Sequence, residues 1–181
     1  SESRGLGDVY KRQMLAASSP TGPAFEGAQI SSGQRAAPGA IERIRISPET
    51  LEPRYRVIGV EQWSDEEGFD EAVASTGITG ICGSGIIEVL AEMYLAEILT
   101  ADGVVDGAKA ASSPRIEADG RTFVYRIADN VVVTQNDVRA IQLAKAALHA
   151  GFRLLMDKME LKSVDRVAVS YTHLTLPTKP F

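Results

Sequence analysis

The chain has 181 residues, 44% of them hydrophobic, with 19 Lys+Arg against 24 Asp+Glu for a net charge of −5. That content supports a packed core and excludes wholesale disorder, while an acidic body without a basic stripe argues against a nucleic-acid-binding surface. One cysteine, Cys82, excludes an internal disulfide framework and a cysteine-held zinc or iron–sulfur site within this sequence.

The first segment, in chain order, reads as foreign. Residues 7–13 (GDVYKRQ) and 169–174 (VSYTHL) admit codings that are reverse complements, and both match the adapters of a transposase-made sequencing library translated in frame. Two unrelated peptide ends have no physical reason to share that complementarity. Residues 1–13 and 168–181 are therefore expected to be adapter-derived tails, and 14–167 the native part, cut at both ends. Setting aside Arg4, Lys11, Arg12 and Lys179 with Glu2 and Asp8 leaves 15 basic against 22 acidic residues, or −7. Tyr171 and His173 are then no catalytic candidates, and His149 is the histidine that remains. No apolar run reaches membrane-spanning length and no secretory signal precedes Met14, so a cytoplasmic setting is expected.

Residues 22–44 are too broken by Gly and Pro to read as one regular element. AIERIRI (40–46) alternates apolar and charged residues as a half-buried strand does, with Ile41, Ile44 and Ile46 inward in an imperfect frame. RYRVIGV (54–60) is a second strand, and the acid-rich 61–72 reads as a solvated loop without the spacing of a calcium loop. Residues 86–99 predict a helix with Ile86, Val89, Leu90, Met93 and Leu99 on its apolar face and Glu88, Glu92 and Glu97 elsewhere. Residues 101–107 and 110–120 read as turn-rich connectors, and 122–128 with 130–134 as a hairpin across Asp129 and Asn130. A long helix follows from Asp137 to about Lys158, capped by the side chains of 134–136, with Val138, Ile141, Ala144, Leu148, Phe152, Leu155 and Met159 at helical spacing. VDRVAV (164–169) begins a last strand, and the whole is an α/β order.

Two Gly-rich segments carry the candidate chemistry. TGICGSGII (79–87) has the form of a turn opening a helix, either a structural turn or a phosphate contact, because converging N–H groups and the helix dipole favour an anion. It has neither the P-loop ending nor the dinucleotide fingerprint. Cys82 reads better as a small packed residue than as a nucleophile, and His149 as a helix-surface residue. In the other segment, Glu26 suits either a metal-bound water or a turn cap, and Arg35 either a phosphate or a surface ion pair.

Three blocks together go further: 18–46 (SSPTGPAFEGAQISSGQRAAPGAIERIRI), 77–93 (GITGICGSGIIEVLAEM) and 134–157 (TQNDVRAIQLAKAALHAGFRLLMD). In this order they resemble the C-terminal domain of RACo-type reductive activators of corrinoid proteins. The resemblance implies an ASKHA fold, the α/β ATPase architecture of actin and hexokinase (ribonuclease H-like), present here as an incomplete domain with a mixed sheet and packed helices. It implies a parent protein that uses ATP and Mg to drive electrons from an iron–sulfur ferredoxin domain, outside this chain, onto a cobalt(II) corrinoid protein, restoring cobalt(I). Gly22, Glu26 and Gly27 match the family's Gly-Pro-Ala-Phe-Glu-Gly block, and Gly83, Ser84 and Gly85 its Gly-Ser-Gly; these six are the expected nucleotide-binding positions. Ser32 stands where relatives often have cysteine, which speaks against a redox role there. The family's upstream phosphate motif and downstream adenosine motif fall outside this sequence, so the chain alone is expected neither to bind ATP tightly nor to hydrolyse it. Expected partners are a corrinoid protein and ATP, with no nucleic acid and no membrane, and a homodimer is one expected assembly. A small-metabolite kinase, or a non-catalytic domain whose nucleotide controls assembly, are the alternatives on the same fold.

Overall fold

The computed structural model describes residues 18–164, so both expected tails and the last expected strand, apart from Val164, lie outside the described residues. Among the described residues, six strands form two three-stranded sheets: β1 (Ala40–Ile46), β2 (Pro53–Val57) and β3 (Gly80–Ile81) in the order β2-β1-β3, and β4 (Ile116–Asp119), β5 (Thr122–Ala128) and β6 (Val131–Val133) in the order β4-β5-β6. β1 runs antiparallel to β2 and parallel to β3, giving the mixed sheet; the second sheet is antiparallel throughout. Three helices accompany them: α1 (Phe69–Val73), α2 (Gly83–Leu95) and α3 (Gln135–Lys158).

The imperfect alternation of β1 has a physical cause. A bulge falls between Ile41 and Arg43, where the register to β2 shifts by one residue. An extra residue turns the strand locally, and so Ile41, Ile44 and Ile46 all reach the core, with Ile41 and Ile44 fully buried. β2 ends at Val57, three residues earlier than expected, in a turn where Gly59 has φ 92°. The acid-rich segment is not wholly solvated: Phe69 is buried, opens α1 and packs edge-on against Tyr55 with ring centroids 5.9 Å apart.

The helix expected from residue 86 starts at Gly83 and stops at Leu95, so Leu99 is buried outside it in a bridge to Val105. Its Glu88 and Glu92 face β1. Beyond Ile41, no strand among the described residues pairs with β1 on its β3 side, and the two carboxylates accept N–H groups there: Ile44 N to Glu88 Oε2 at 2.9 Å and Ile46 N to Glu92 Oε2 at 3.0 Å. An i, i+4 pair of acids thus satisfies two backbone donors of β1.

Arg43 and Arg45 also bond Glu88. Burial alone would raise the Glu88 pKa, but hydrogen bonds from Arg45, the Ile44 amide and Arg43 carry it below the ordinary 4.5. A carboxylate lowered on folding stabilises the fold fully above its unfolded value, and that contribution disappears as pH falls through the lower folded one. Thermal melts from pH 7 down through the acid range should therefore show a steep loss below about 4.5. Glu88→Gln should be less stable at pH 7 and flatter across the acid limb; parallel curves for the two proteins would contradict this reading.

The connector 110–120 contains β4, joined to β5 through Gly120 (φ 61°) and Arg121. A 3-10 turn, Gly107–Ala111, precedes it. The hairpin β5–β6 forms as expected. Tyr125 on β5 is fully buried and donates its hydroxyl to Leu51 O at 2.9 Å, while Arg115 pairs with Glu52, so the second sheet is tied to the β1–β2 turn. α3 begins at Gln135 behind a complete capping box between Thr134 and Asp137. Val138, Ile141 and Ala144 are buried as expected, but near its end Met156 is buried whereas Met159 is exposed.

Candidate functional site

The two Gly-rich segments meet in space. β3 lies between β1 and the 32–34 stretch: Ile81 N donates to Ser32 O at 2.8 Å, Gln34 N to Ile81 O at 2.9 Å, and Cys82 N to Ile41 O at 3.0 Å. Gln34 Nε2 adds a bond to Thr79 Oγ1 at 2.9 Å. Such close approach needs residues without side chains. A Cβ on Gly27 would lie 2.6 Å from Gln34 O, one on Gly80 2.7 Å from Ser32 O, and one on Gly33 would overlap the Gly27 carbonyl. Gly85 packs α2 onto β1, where a Cβ would meet Ile41 O at 2.5 Å and Ile81 Cγ1 at 2.7 Å.

Glu26 sits on a 3-10 turn, Ala24–Glu26, closed by Gly27 in the left-handed conformation (φ 85°). Ala24 and Phe25 are buried, and the turn packs against both α2 and α3. Glu26 itself is half-buried, and its carboxylate makes no hydrogen bond or ion pair among the described residues. It is not a turn cap.

At the other segment, the N-cap is Cys82 in extended conformation with no side-chain cap. The opening N–H groups of α2 are thus left for a ligand or solvent. Gly83 and Gly85 are buried and Ser84 is exposed, its hydroxyl donating to Glu42 O at 3.2 Å. Cys82 is buried with Sγ 3.2 Å from Ser84 Oγ, a packed residue.

Of the six expected positions, Glu26, Gly27, Gly83, Ser84 and Gly85 therefore belong to two adjoining elements, the 3-10 turn and the α2 start. Gly22 does not: it is exposed at φ 66° with nothing within 4 Å of a Cβ built on it. Arg35 is exposed and makes no ion pair among the described residues, and His149 is exposed on α3. Gly33 and Gln34 are junction residues that motif reading passed over, and Gly80, inside the 79–87 segment, was not among the expected binding positions. Their signal is spatial, since nothing in the sequence pairs residue 33 with residue 81.

One further tie fixes the loop. Asp137, almost fully buried, accepts from Thr134 N and Ser31 N, both at 2.8 Å, and from Ser31 Oγ at 3.1 Å. Next to it, Ser32 Oγ donates to Val132 O and accepts from Val132 N. The capping box of α3 and the edge of β6 thereby hold residues 31–32 in place.

The donor set fits a nucleotide phosphate: an uncapped helix start and flanking glycines suit an anion. Among the described residues no cluster of three His, Cys, Asp or Glu is placed to hold a metal. An iron–sulfur cluster does not fit, because the sequence has a single cysteine and it is buried.

The model of the C-terminal ASKHA domain of RACo matches residues 9–172. The chain belongs to this family. Among RACo-family relatives, it is 32% identical over 162 residues to a corrinoid activation enzyme, RamQ, of Eubacterium limosum, covering 82% of this chain and 24% of that protein. A solved structure of a reductive activator for a corrinoid, iron-sulfur protein superposes with a TM-score of 0.64 at 32% identity, covering 81% of this chain and 22% of that one. The chain thus spans about a quarter of the length of the relatives it matches. The α/β ASKHA fold is that of the RACo C-terminal domain. No described helix is long and apolar enough to cross a membrane.

Proposed function

We propose that this RACo-type domain supplies part of the nucleotide site of an ATP-dependent reductive activator, which returns a cobalt(II) corrinoid protein to cobalt(I) with electrons from an iron–sulfur domain outside this chain. The observation that carries the reading is the 32% identity to a corrinoid activation enzyme across most of the chain. In this reading the N–H groups of Gly83, Ser84 and Gly85 bind phosphate oxygens, and Gly27 lets the 3-10 turn approach. Glu26, on the 3-10 turn and without a partner among the described residues, would be the carboxylate that holds a water near a phosphate-borne Mg. ATP supplies the free energy for an uphill electron transfer, and the domain's part is to favour a conformation only when nucleotide is bound.

The test uses a full-length activator carrying this domain with its corrinoid partner. The absorption spectrum of cobalt(I) should grow when a low-potential reductant and Mg-ATP are both present, and not with reductant alone. Equal cobalt(I) formation with and without ATP would defeat the proposal. Phosphoryl transfer from ATP to a small metabolite would favour a kinase of the same fold instead.

A further inference from the structure

Among the described residues the two three-stranded sheets share no ladder. The stretch 31–34 runs between them, and one residue in it reaches both. Ser32 O accepts from Ile81 N of β3 at 2.8 Å, while Ser32 Oγ donates to Val132 O of β6 at 3.0 Å and accepts from Val132 N at 2.9 Å. A serine hydroxyl has one proton to give and lone pairs to accept with, so this side chain fills the place of a backbone partner on the edge of β6. The neighbours are fixed separately: Ser31 by Asp137 of α3, and Gly33 by its bridge to Ile81.

The turn that carries Glu26 rests on this seam. Gly27 N closes it on Ala24 O at 3.1 Å, and the Gly27 carbonyl lies so close to Gly33 that a Cβ on Gly33 would stand 2.0 Å from it. Gly33 N in turn donates to Ile30 O at 3.0 Å. The start of α2 is held otherwise, by Cys82 N on Ile41 O and by Gly85 packed on β1. A shift of residues 32–33 therefore bears on Glu26, whereas 83–85 keep their own supports.

We propose that Ser32 is a positioning residue of the nucleotide site: by tying β3 to β6 it sets where the Glu26 carboxylate stands relative to the start of α2. That role rests on the nucleotide reading of the site. A group that must meet a reacting atom loses rate when it is displaced by even a small distance.

In the 181-residue chain, Ser32→Ala should speed amide exchange at Gly27 and Gly33 as well as at Val132, with the chain still folded by circular dichroism. In a full-length activator the same change should lower kcat of corrinoid-stimulated ATP hydrolysis at least ~tenfold and leave KM for ATP unchanged. Added to Glu26→Gln it should cost nothing further, because it acts through that carboxylate. Should Ser32→Ala fail to fold, Ser32→Cys is read in its place; a thiol is a weak donor and acceptor, so the same pattern should appear at smaller size. Faster exchange at Val132 alone overturns the proposal, and so does a full further loss of rate on top of Glu26→Gln. If Glu26→Gln slows hydrolysis and Ser32→Ala does not, the role of Ser32 falls and the nucleotide reading stands. If Glu26→Gln leaves hydrolysis untouched, both fall together.

Discussion

Gly33→Ala is expected to destabilise the chain by about 3 kcal/mol, since overpacking a rigid contact costs 1–3 kcal/mol and sometimes more. The added methyl would overlap the Gly27 carbonyl, and the contact is backbone against backbone with no flexible side chain to yield. Gly33 needs no left-handed conformation, so the whole penalty is one of space. At this size about 3 kcal/mol corresponds to a melting temperature lower by roughly 6–12 °C. Gly22→Ala separates the two effects. There φ is 66° but the space is open, so only the backbone strain of about 1–2 kcal/mol applies. Equal melting temperatures for the two variants would mean that the junction is looser than described.

The second large effect is at Asp137. Replacing it with Ala strands two backbone donors, Thr134 N and Ser31 N, beside a carboxylate position that is almost fully buried. Loss of an N-cap partner costs 0.5–2 kcal/mol and a buried unsatisfied donor 1–3 kcal/mol, so about 3 kcal/mol is expected. Asp137→Asn keeps one acceptor oxygen and should lose about half of that. Urea midpoints read both. Because Asp137 also holds Ser31, amide exchange in the alanine variant should speed up at residues 31–34 as well as at the start of α3. Faster exchange confined to α3 would show that the loop does not depend on the cap.

These two residues also mark how far the sequence could be read. The helix start at Asp137 was legible because its capping partner Thr134 is local, whereas the bonds from Ser31, 106 residues away in sequence, were not. The long helix, β1 and the β5–β6 hairpin were legible for the same reason. Gly33 was not, since its partner segments become neighbours only when β3 slots between β1 and residues 32–34. The start of α2 was misread because two glycines have poor helix propensity, whereas Gly85 is needed there to let the helix sit on Ile41. Glu88 and Glu92 fell off the apolar face on a helical wheel, which carries no information about the strand edge they bond. β4 escaped notice because two of its four residues are acids, although the Asp-Gly step after it is a hairpin signal. At the candidate site, the motifs pointed to two segments that adjoin in the structure. Gly85 and Gly27 are explained by packing, while Glu26 makes no hydrogen bond or ion pair among the described residues.

That contrast makes Glu26 the most direct probe of the central claim, that the 3-10 turn and the start of α2 form one wall of a nucleotide site. Glu26→Gln removes the charge and keeps the shape, and among the described residues no hydrogen bond depends on it. The measurement is corrinoid-stimulated ATP hydrolysis by the full-length activator, with melting temperature recorded on the same samples. The account predicts an unchanged melting temperature and hydrolysis at least ~tenfold slower. Hydrolysis at the unsubstituted rate in an equally stable variant would contradict it.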